Sequence, residues 1–437
     1  MNQNNEFSPN NLYQQSGVGI YSNSDNKISV TSTKGSTAML LQNGRVISWR
    51  LQIPPEIAKL RDIVNLSSTR YAFAALRANR SVVAWGDERY GGSIPPEIAK
   101  LQDIVSLSAT SFAFAALRTD RSVVAWGWGD ENGGVKVPKE IAKLKDIVSL
   151  SATDYTFAVL RANGNVVVWR SSTVQPDIAK LKGIISLSAI DDTFIARWAD
   201  FRIVTWGGGP SMPPEIARWQ DIVGLSKTIG NFSKTIGAFA ALRANGSVLA
   251  WGDENCGGQV PPEIATLRDI ISLSATGKTF AALRSDRSVV SWGNISIPSE
   301  IAKLKDIISL HPIIGSYPIN GSFAALRADR SVVSWGSIGS APPEIAKLKD
   351  IVSLSAAKSA FAALRANGSV VTWGYQVDDY DNRISGSNVQ VPPGIARLQD
   401  IVSLSASKNS FAVLRRNGQI VAWNTNNDNI VHSEYDD

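Results

Sequence analysis

Histidine and cysteine are nearly missing from these 437 residues: there are two histidines, His311 and His432, and one cysteine, Cys256. A lone cysteine excludes any disulfide within the chain and fits a reducing compartment, or a chain that tolerates leaving one without disulfides. Cys256 stands in Asp253-Glu-Asn-Cys-Gly-Gly258, a segment whose sister copies lack it, and reads as an incidental thiol. Two histidines, one before Pro312 in what reads as a loop and one near the C-terminal end, leave Ser-His-Asp and Cys-His chemistry without parts. No apolar run approaches the ~18 residues that span a bilayer. The first 26 residues hold no Lys or Arg and no apolar core, so a standard secretory signal is not expected. No phosphate loop of the Walker type occurs, and Gly207-Gly-Gly209 does not open a helix. The acid pairs Asp87-Glu88, Asp130-Glu131 and Asp253-Glu254 lack the alternating oxygen donors of calcium loops and read as solvated turn acids. Neither a metal nor a cofactor is expected, and no catalytic residue.

Concentrated charge is also lacking. Lys+Arg number 44 against 38 Asp+Glu, and much of this charge sits in self-neutral strings such as Glu56, Lys59, Arg61 and Asp62. Nucleic-acid binders gather their bases on a stripe or tail. Here the stretch 1–26 and the stretch 424–437 carry acids and no base, so no nucleic-acid partner is expected.

What is present is a repeat. Ten tryptophans, from Trp49 through Trp85 and Trp126 to Trp423, recur about every 42 residues. Each unit holds three extended-looking pieces, as in Asp103-Ile-Val-Ser-Leu-Ser108, Phe114-Ala-Ala-Leu-Arg118 and Ser122-Val-Val-Ala-Trp126. A short turn joins the second piece to the third. Its first residue is Asn or Asp in every unit, and the next is Gly in five, Arg in four and Phe201 in one. Asn-Gly between apolar runs predicts a two-residue hairpin turn with φ > 0 at both positions; the Arg copies fit that geometry less well. Pro54-Pro-Glu-Ile-Ala-Lys-Leu60 and its eight sister copies predict one helical turn at each junction, with proline at the start and an acid in the first turn.

Short strands of Val, Ile, Phe and Trp at regular spacing predict an all-β fold, a β-propeller of about ten short blades with three to four strands each. Adjacent apolar pairs such as Ile104-Val105 and Val123-Val124 predict sheets buried on both faces. The repeated indoles read as packing between blades. The organisation is a polar leader over 1–26, a ten-repeat propeller over 27–423 and an acidic tail over 424–437. Residues 12–22 or 424–432 are candidates to complete a terminal blade.

Val82-Val-Ala-Trp-Gly-Asp-Glu-Arg-Tyr-Gly-Gly92, followed by Pro95 and Phe114-Ala-Ala-Leu117, resembles the regulator of chromosome condensation repeat. The short unit is most similar to the bacterial branch that includes the β-lactamase-inhibitory propeller protein. The resemblance covers about residues 27–423 and implies a propeller used as an exchange factor, an inhibitor or a docking platform. Trp49, Trp169 and Trp423 depart from it in lacking the following Gly, as does Arg197 in standing where other units have Leu. No long insertion of the kind an exchange factor wedges into a GTPase is present. No family contact residue carries over one by one.

Variation is confined to one side. In a meander, the loop between strands one and two and the loop after Trp share a face, with the Asn-Gly turns opposite. The turns hardly vary, whereas the loop after Trp reaches its first proline after 5 residues at Trp49 and 19 at Trp373. The loop between strands one and two grows at Ser226–Ala238 and His311–Ser322. A constant scaffold with one variable ring of positions reads as a recognition surface. Its expected contact residues are Tyr71, Tyr90, Phe112, Trp128, Tyr155, Asp191, Phe232, Lys278, Tyr317, Lys358, Tyr375 and Tyr380. Large aromatics amid mixed charge suit a protein hot spot. The expected function is non-catalytic binding of a partner protein, as inhibitor, scaffold or effector. The alternatives are a carbohydrate-binding propeller or a guanine-nucleotide exchange factor. A monomer is expected, either cytoplasmic or exported without a standard signal.

Overall fold

Each repeat forms its own antiparallel meander. In the third unit the strands are Ile104–Ala109, Ala113–Arg118 and Val123–Gly127, with Phe114 opposite both Ala109 and Trp126. The computed structural model describes residues 29–425 apart from 34–35, 42, 50, 129–134, 170–177, 191, 229–236, 314–320 and 378–382, together with residues 432–433. The described residues make ten such sheets, here numbered in chain order. Two gain a fourth strand: Arg383–Asn388 in sheet nine, and His432–Ser433, paired to Val421 and Ala422, in sheet ten. The stretch 12–22 lies outside the described residues.

The second strand explains how sheets pack. Along Ala-Phe-Ala-Ala-Leu, successive side chains point to opposite faces. Ala113, Ala115 and Leu117 face sheet four and meet Phe157 and Trp169 there. Phe114 and Ala116 face sheet two with Trp126, against Ala72, Ala74 and Leu76. The small alanines leave room for the Phe and Trp rings of the following sheet. Within each sheet from two to ten those rings pair across the strands, Phe114 and Trp126 stacking at 5.4 Å between centroids. The first and last sheets meet in the same way: Met39, Leu41 and Trp49 pack on Ala412, Ile420 and Ala422. Ser32 donates to the Ser407 hydroxyl at 2.9 Å, and the Trp49 Nε1–H donates to Asn424 Oδ1. The ten sheets therefore close into one ring, a β-propeller.

Junction turns follow their sequence. Eight are single α-helical turns opening on proline, such as Pro96–Ala99, each burying its Ile. The ninth, Ile178–Lys180, is a 3-10 turn.

Three expectations are corrected. The hairpins place only the second residue of the Asn-Gly pair at positive φ: Gly44 at 76°, Arg80 at 65°, Phe201 at 64°. The Arg80 N–H donates to the Arg77 carbonyl, and the Arg77 N–H donates to the Ser81 carbonyl. This is a three-residue loop, a type I turn followed by a left-handed residue in a bulge. One left-handed residue is tolerable for Arg; two would not be.

Second, the first strands are not buried on both sides. Ile104 is fully covered, but Val105 is 43% exposed. Among the described residues, sheets two to ten each have a β-bulge at this position, such as the shift between Ile104 and Ser106. The extra residue has no cross-strand partner, so its side chain leaves the core. Third, His311 lies in a strand, Ile307–Ile313, and not in a loop.

Candidate functional site

The loop after strand one is built on threonine. Thr69 is buried, its Oγ1 accepts the Ala72 N–H at 3.1 Å, and its N–H donates to the Ala72 carbonyl. Thr110 and Thr153 repeat the arrangement, accepting from Ala113 and Thr156. Two residues are left between the fixed ends, and they differ in every copy: Arg70-Tyr71, Ser111-Phe112 and Asp154-Tyr155.

The loop after Trp docks onto the same end. Thr69 donates to the Tyr90 carbonyl at 3.0 Å, and Thr228 donates to the Cys256 carbonyl at 3.0 Å. The Trp128 N–H donates to the Phe112 carbonyl. Asp87 and Asp253 cap the 3-10 turns Glu88–Tyr90 and Glu254–Cys256 by accepting the N–H groups of Arg89 and Asn255. Their carboxylates thus hold backbone. Gly91 ends its turn at φ 93°, where an added Cβ would meet the Phe114 ring at 2.7 Å, so side-chain-bearing residues are excluded.

These loops assemble a continuous aromatic arc over sheets two, three and four. Tyr71 meets Tyr90 edge-on at 4.7 Å, and Tyr90 lies 5.8 Å from Phe112 and 6.1 Å from Trp128. Phe112 touches Trp128 at 5.2 Å and Tyr155 at 5.5 Å. Phe112 is buried at the centre, while Tyr71, Trp128 and Tyr155 are exposed, Tyr155 by 56%. The Arg70 guanidinium stands 5.7 Å over the Phe112 ring. Ring pairs in these geometries attract one another beyond simple burial, which fixes the exposed rings before any partner arrives.

Toward the axis the same loops touch one another. The Arg70 N–H donates to the Ser111 carbonyl, the Ser111 N–H to the Asp154 carbonyl, and the Lys358 N–H to the Lys408 carbonyl. Burial raises the Asp154 carboxyl above the usual range, with the Asp192 charge adding to it; Arg70, Lys227 and Lys408 oppose the shift. These residues come from sheets two, four, five, six and ten, so their side chains converge on the mouth of the ring. Lys227, itself buried, is ion-paired with Asp192. Its place at the mouth was not read from the sequence, because the residue pattern assigns it to the elongated loop, whereas it pairs with Phe239 in the strand Ile222–Thr228.

The expected contact residues therefore divide. Tyr71, Tyr90, Phe112, Trp128 and Tyr155 form one group, and Lys278 is half-buried in the corresponding loop of sheet seven. Two are corrected. Tyr375 is only 3% exposed, because strand three of sheet nine runs on to Val377 and pairs with Arg383–Asn388. The Arg383 guanidinium covers its ring at 4.6 Å, and burial pushes its hydroxyl up to about 12. Lys358 is likewise buried, enclosed between neighbouring loops. Asp191, Phe232, Tyr317 and Tyr380 lie outside the described residues.

Ser309 and His311 form a hydroxyl–imidazole contact at 3.0 Å on the first strand of sheet eight. Burial lowers the imidazole to about 4, so at neutral pH it is a weak base for activating a nucleophile. Among the described residues, no group of three or more His, Cys, Asp or Glu is placed to hold a metal ion, and no helix is long and apolar enough to cross a membrane.

No family model and no curated protein matches the sequence. Solved structures similar to this chain include the CRINKLY WD40 ectodomain of the Arabidopsis thaliana receptor kinase ACR4, at 20% identity, covering 64% of this chain and 98% of that one, with a TM-score of 0.33. Prp20p of Saccharomyces cerevisiae, whose binding to Gsp1p and histones was examined, is similar at 16% identity, 83% and 84% coverage and a TM-score of 0.31. The computationally designed Ika8 protein follows at 14%, 72% and 96%, and 0.30. At such scores the likeness carries no argument, and the propeller assignment rests on strand pairing and ring closure.

Proposed function

We propose that this propeller is a non-catalytic binding module that holds a partner protein on its loop face. One observation carries the reading: Tyr71, Tyr90, Phe112, Trp128 and Tyr155 form an unbroken arc across three sheets, with three exposed rings on hydrogen-bonded loops. Tyr and Trp supply large contact area at low entropic cost and dominate interface energetics. Arg70 beside the arc favours a partner segment that pairs apolar residues with a carboxylate. Inhibitor, scaffold and effector are all versions of this role.

The test is capture of partners with the folded chain as bait, followed by calorimetry with the purified partner. Tyr155→Ala should weaken binding at least tenfold, and Arg330→Ala on the opposite face should leave it within twofold. Equal effects would refute a loop-face site. The exposed indole of Trp128, 45% accessible, also suits stacking on a sugar ring. A glycan array that retains the wild type and loses Trp128→Ala would favour that second reading.

A further inference from the structure

A second apolar feature lies on the opposite face and plays no part in the reading above. Among the described residues thirteen large hydrophobic side chains are exposed, and eight of them occupy a single repeat position, so drift in scattered surface residues does not account for them. That position is the bulge residue of the first strand, as in Val64, Val105, Val148, Ile185, Ile271 and Ile308, with exposures from 43% to 55% across the eight. The first strands are the innermost ones: the Ser151 hydroxyl donates to the Leu187 carbonyl of the next sheet, and Ser355 to Leu404. The bulge falls at the strand end beside the Asn-Gly turns, with Ile63 donating to the Gly44 carbonyl and Ile104 to the Arg80 carbonyl. Ring closure thus gathers the eight side chains into an aliphatic collar around the axis on the turn face.

We infer that two copies of this chain associate through their turn faces, collar against collar, leaving both loop faces free. Roughly half-exposed Val and Ile at eight positions amount to on the order of 600 Å² of apolar surface, at the upper end of what a soluble monomer leaves bare. Two such faces would bury about 1,200 Å², enough for a specific interface. The surroundings fit an isologous contact. Outside the collar stands a rim of mixed-sign pairs: Arg118 with Asp103 at 2.7 Å, Lys305 with Asp286 at 3.4 Å, and Lys145 with Asp120. An apolar centre with a polar rim is the anatomy of an interface. A rim alternating in sign can meet its own copy without like-charge clash, as two-fold pairing requires.

The experiment is sedimentation equilibrium from 1 to 100 µM. The wild type should populate twice the 47.0 kDa chain mass. The quadruple variant Val64→Thr, Ile271→Thr, Ile308→Thr and Val402→Thr keeps β-branched side chains and should raise the dimer dissociation constant at least tenfold. Tyr155→Ala should not move it. A wild type that stays monomeric at 100 µM overturns the proposal, as does a dimer indifferent to the collar. Should the quadruple variant fail to fold, spin labels decide independently, since the native Cys256 is buried. Labels at Asn367→Cys in a turn should lie close between copies and labels at Lys278→Cys in a loop far apart; the reverse order refutes the assignment.

Discussion

The two faces of the ring differ in how many structural duties each residue carries. On the turn face the turns and the ion pairs beside them are committed. Arg118 makes a bidentate pair with Asp103 at 2.7 to 3.1 Å, and the same pair recurs in most sheets, as with Arg284 and Asp269. Asp120 accepts the Ser122 N–H and hydroxyl. The left-handed Arg121 gives its carbonyl to Ile147 of the next sheet. On the loop face a threonine fixes several of the short loops, as Thr69, Thr110 and Thr153 do, and the two residues beside it are free to differ. Constancy on one side follows from stitching, and that leaves variation on the other side available for recognition.

The largest effect that could break this comparison comes from the packing both faces share. Phe114→Ala removes a ring stacked on Trp126 between sheets two and three, and chemical denaturation should show a loss of ~3–5 kcal/mol. A loss below about 1 kcal/mol would mean that the sheets are not held by these rings. Next, Arg118→Ala strips the partners from a half-buried carboxylate and should cost ~2 kcal/mol, whereas Tyr155→Ala, on the exposed end of the arc, should cost about 0.5 kcal/mol or less. A reversed order would contradict the division of labour.

The faces should also part on acidification. Hydrogen bonds from Ser288 hold the Asp286 carboxyl down to about 2, and Lys145 and Lys349 hold Asp120 and Asp329 still lower. Each contributes stability above the ordinary carboxylate range that is lost as pH falls through the folded value. Asp154 shifts the other way, so its charged form costs stability that is recovered as pH falls. Carboxyl-carbon NMR should therefore show Asp154 protonating well before Asp286. Separately, His311 binds its proton at about 4 when folded and near 6.5 when unfolded. Stability should decline as pH drops from about 6.5 to 4, and His311→Gln should flatten that slope. A midpoint indifferent to the substitution would contradict the burial of the imidazole.

The smallest effect sharpens the turn geometry. Arg121→Gly relieves a left-handed non-glycine residue at φ 61° and should change stability by less than about 1 kcal/mol, in the stabilising direction. Destabilisation would show that the Arg side chain is needed there.

Much of the architecture was readable from residue spacing. The ten units, their three strands and the proline-opened turns follow from local patterns, and the shared face of the two loop sets follows from meander parity alone. The features that escaped depend on the third dimension. Val105 looks like a core residue beside Ile104, and only the bulge expels it. Tyr375 looks like an exposed loop aromatic, and only the added strand Arg383–Asn388 buries it. Lys227 sits in an irregular copy, so its approach to Asp192 and Asp154 needs ring closure to become visible.

The claim that partners are read by the loop face is tested most directly by hydroxyl-radical footprinting of the chain with and without a captured partner. Aromatic side chains report well, and the turn face supplies its own control in Phe201, which is 45% exposed. The account predicts that adding partner protects Tyr71, Trp128 and Tyr155 and leaves Phe201 as it was. Protection of Phe201 with the arc unchanged would contradict it.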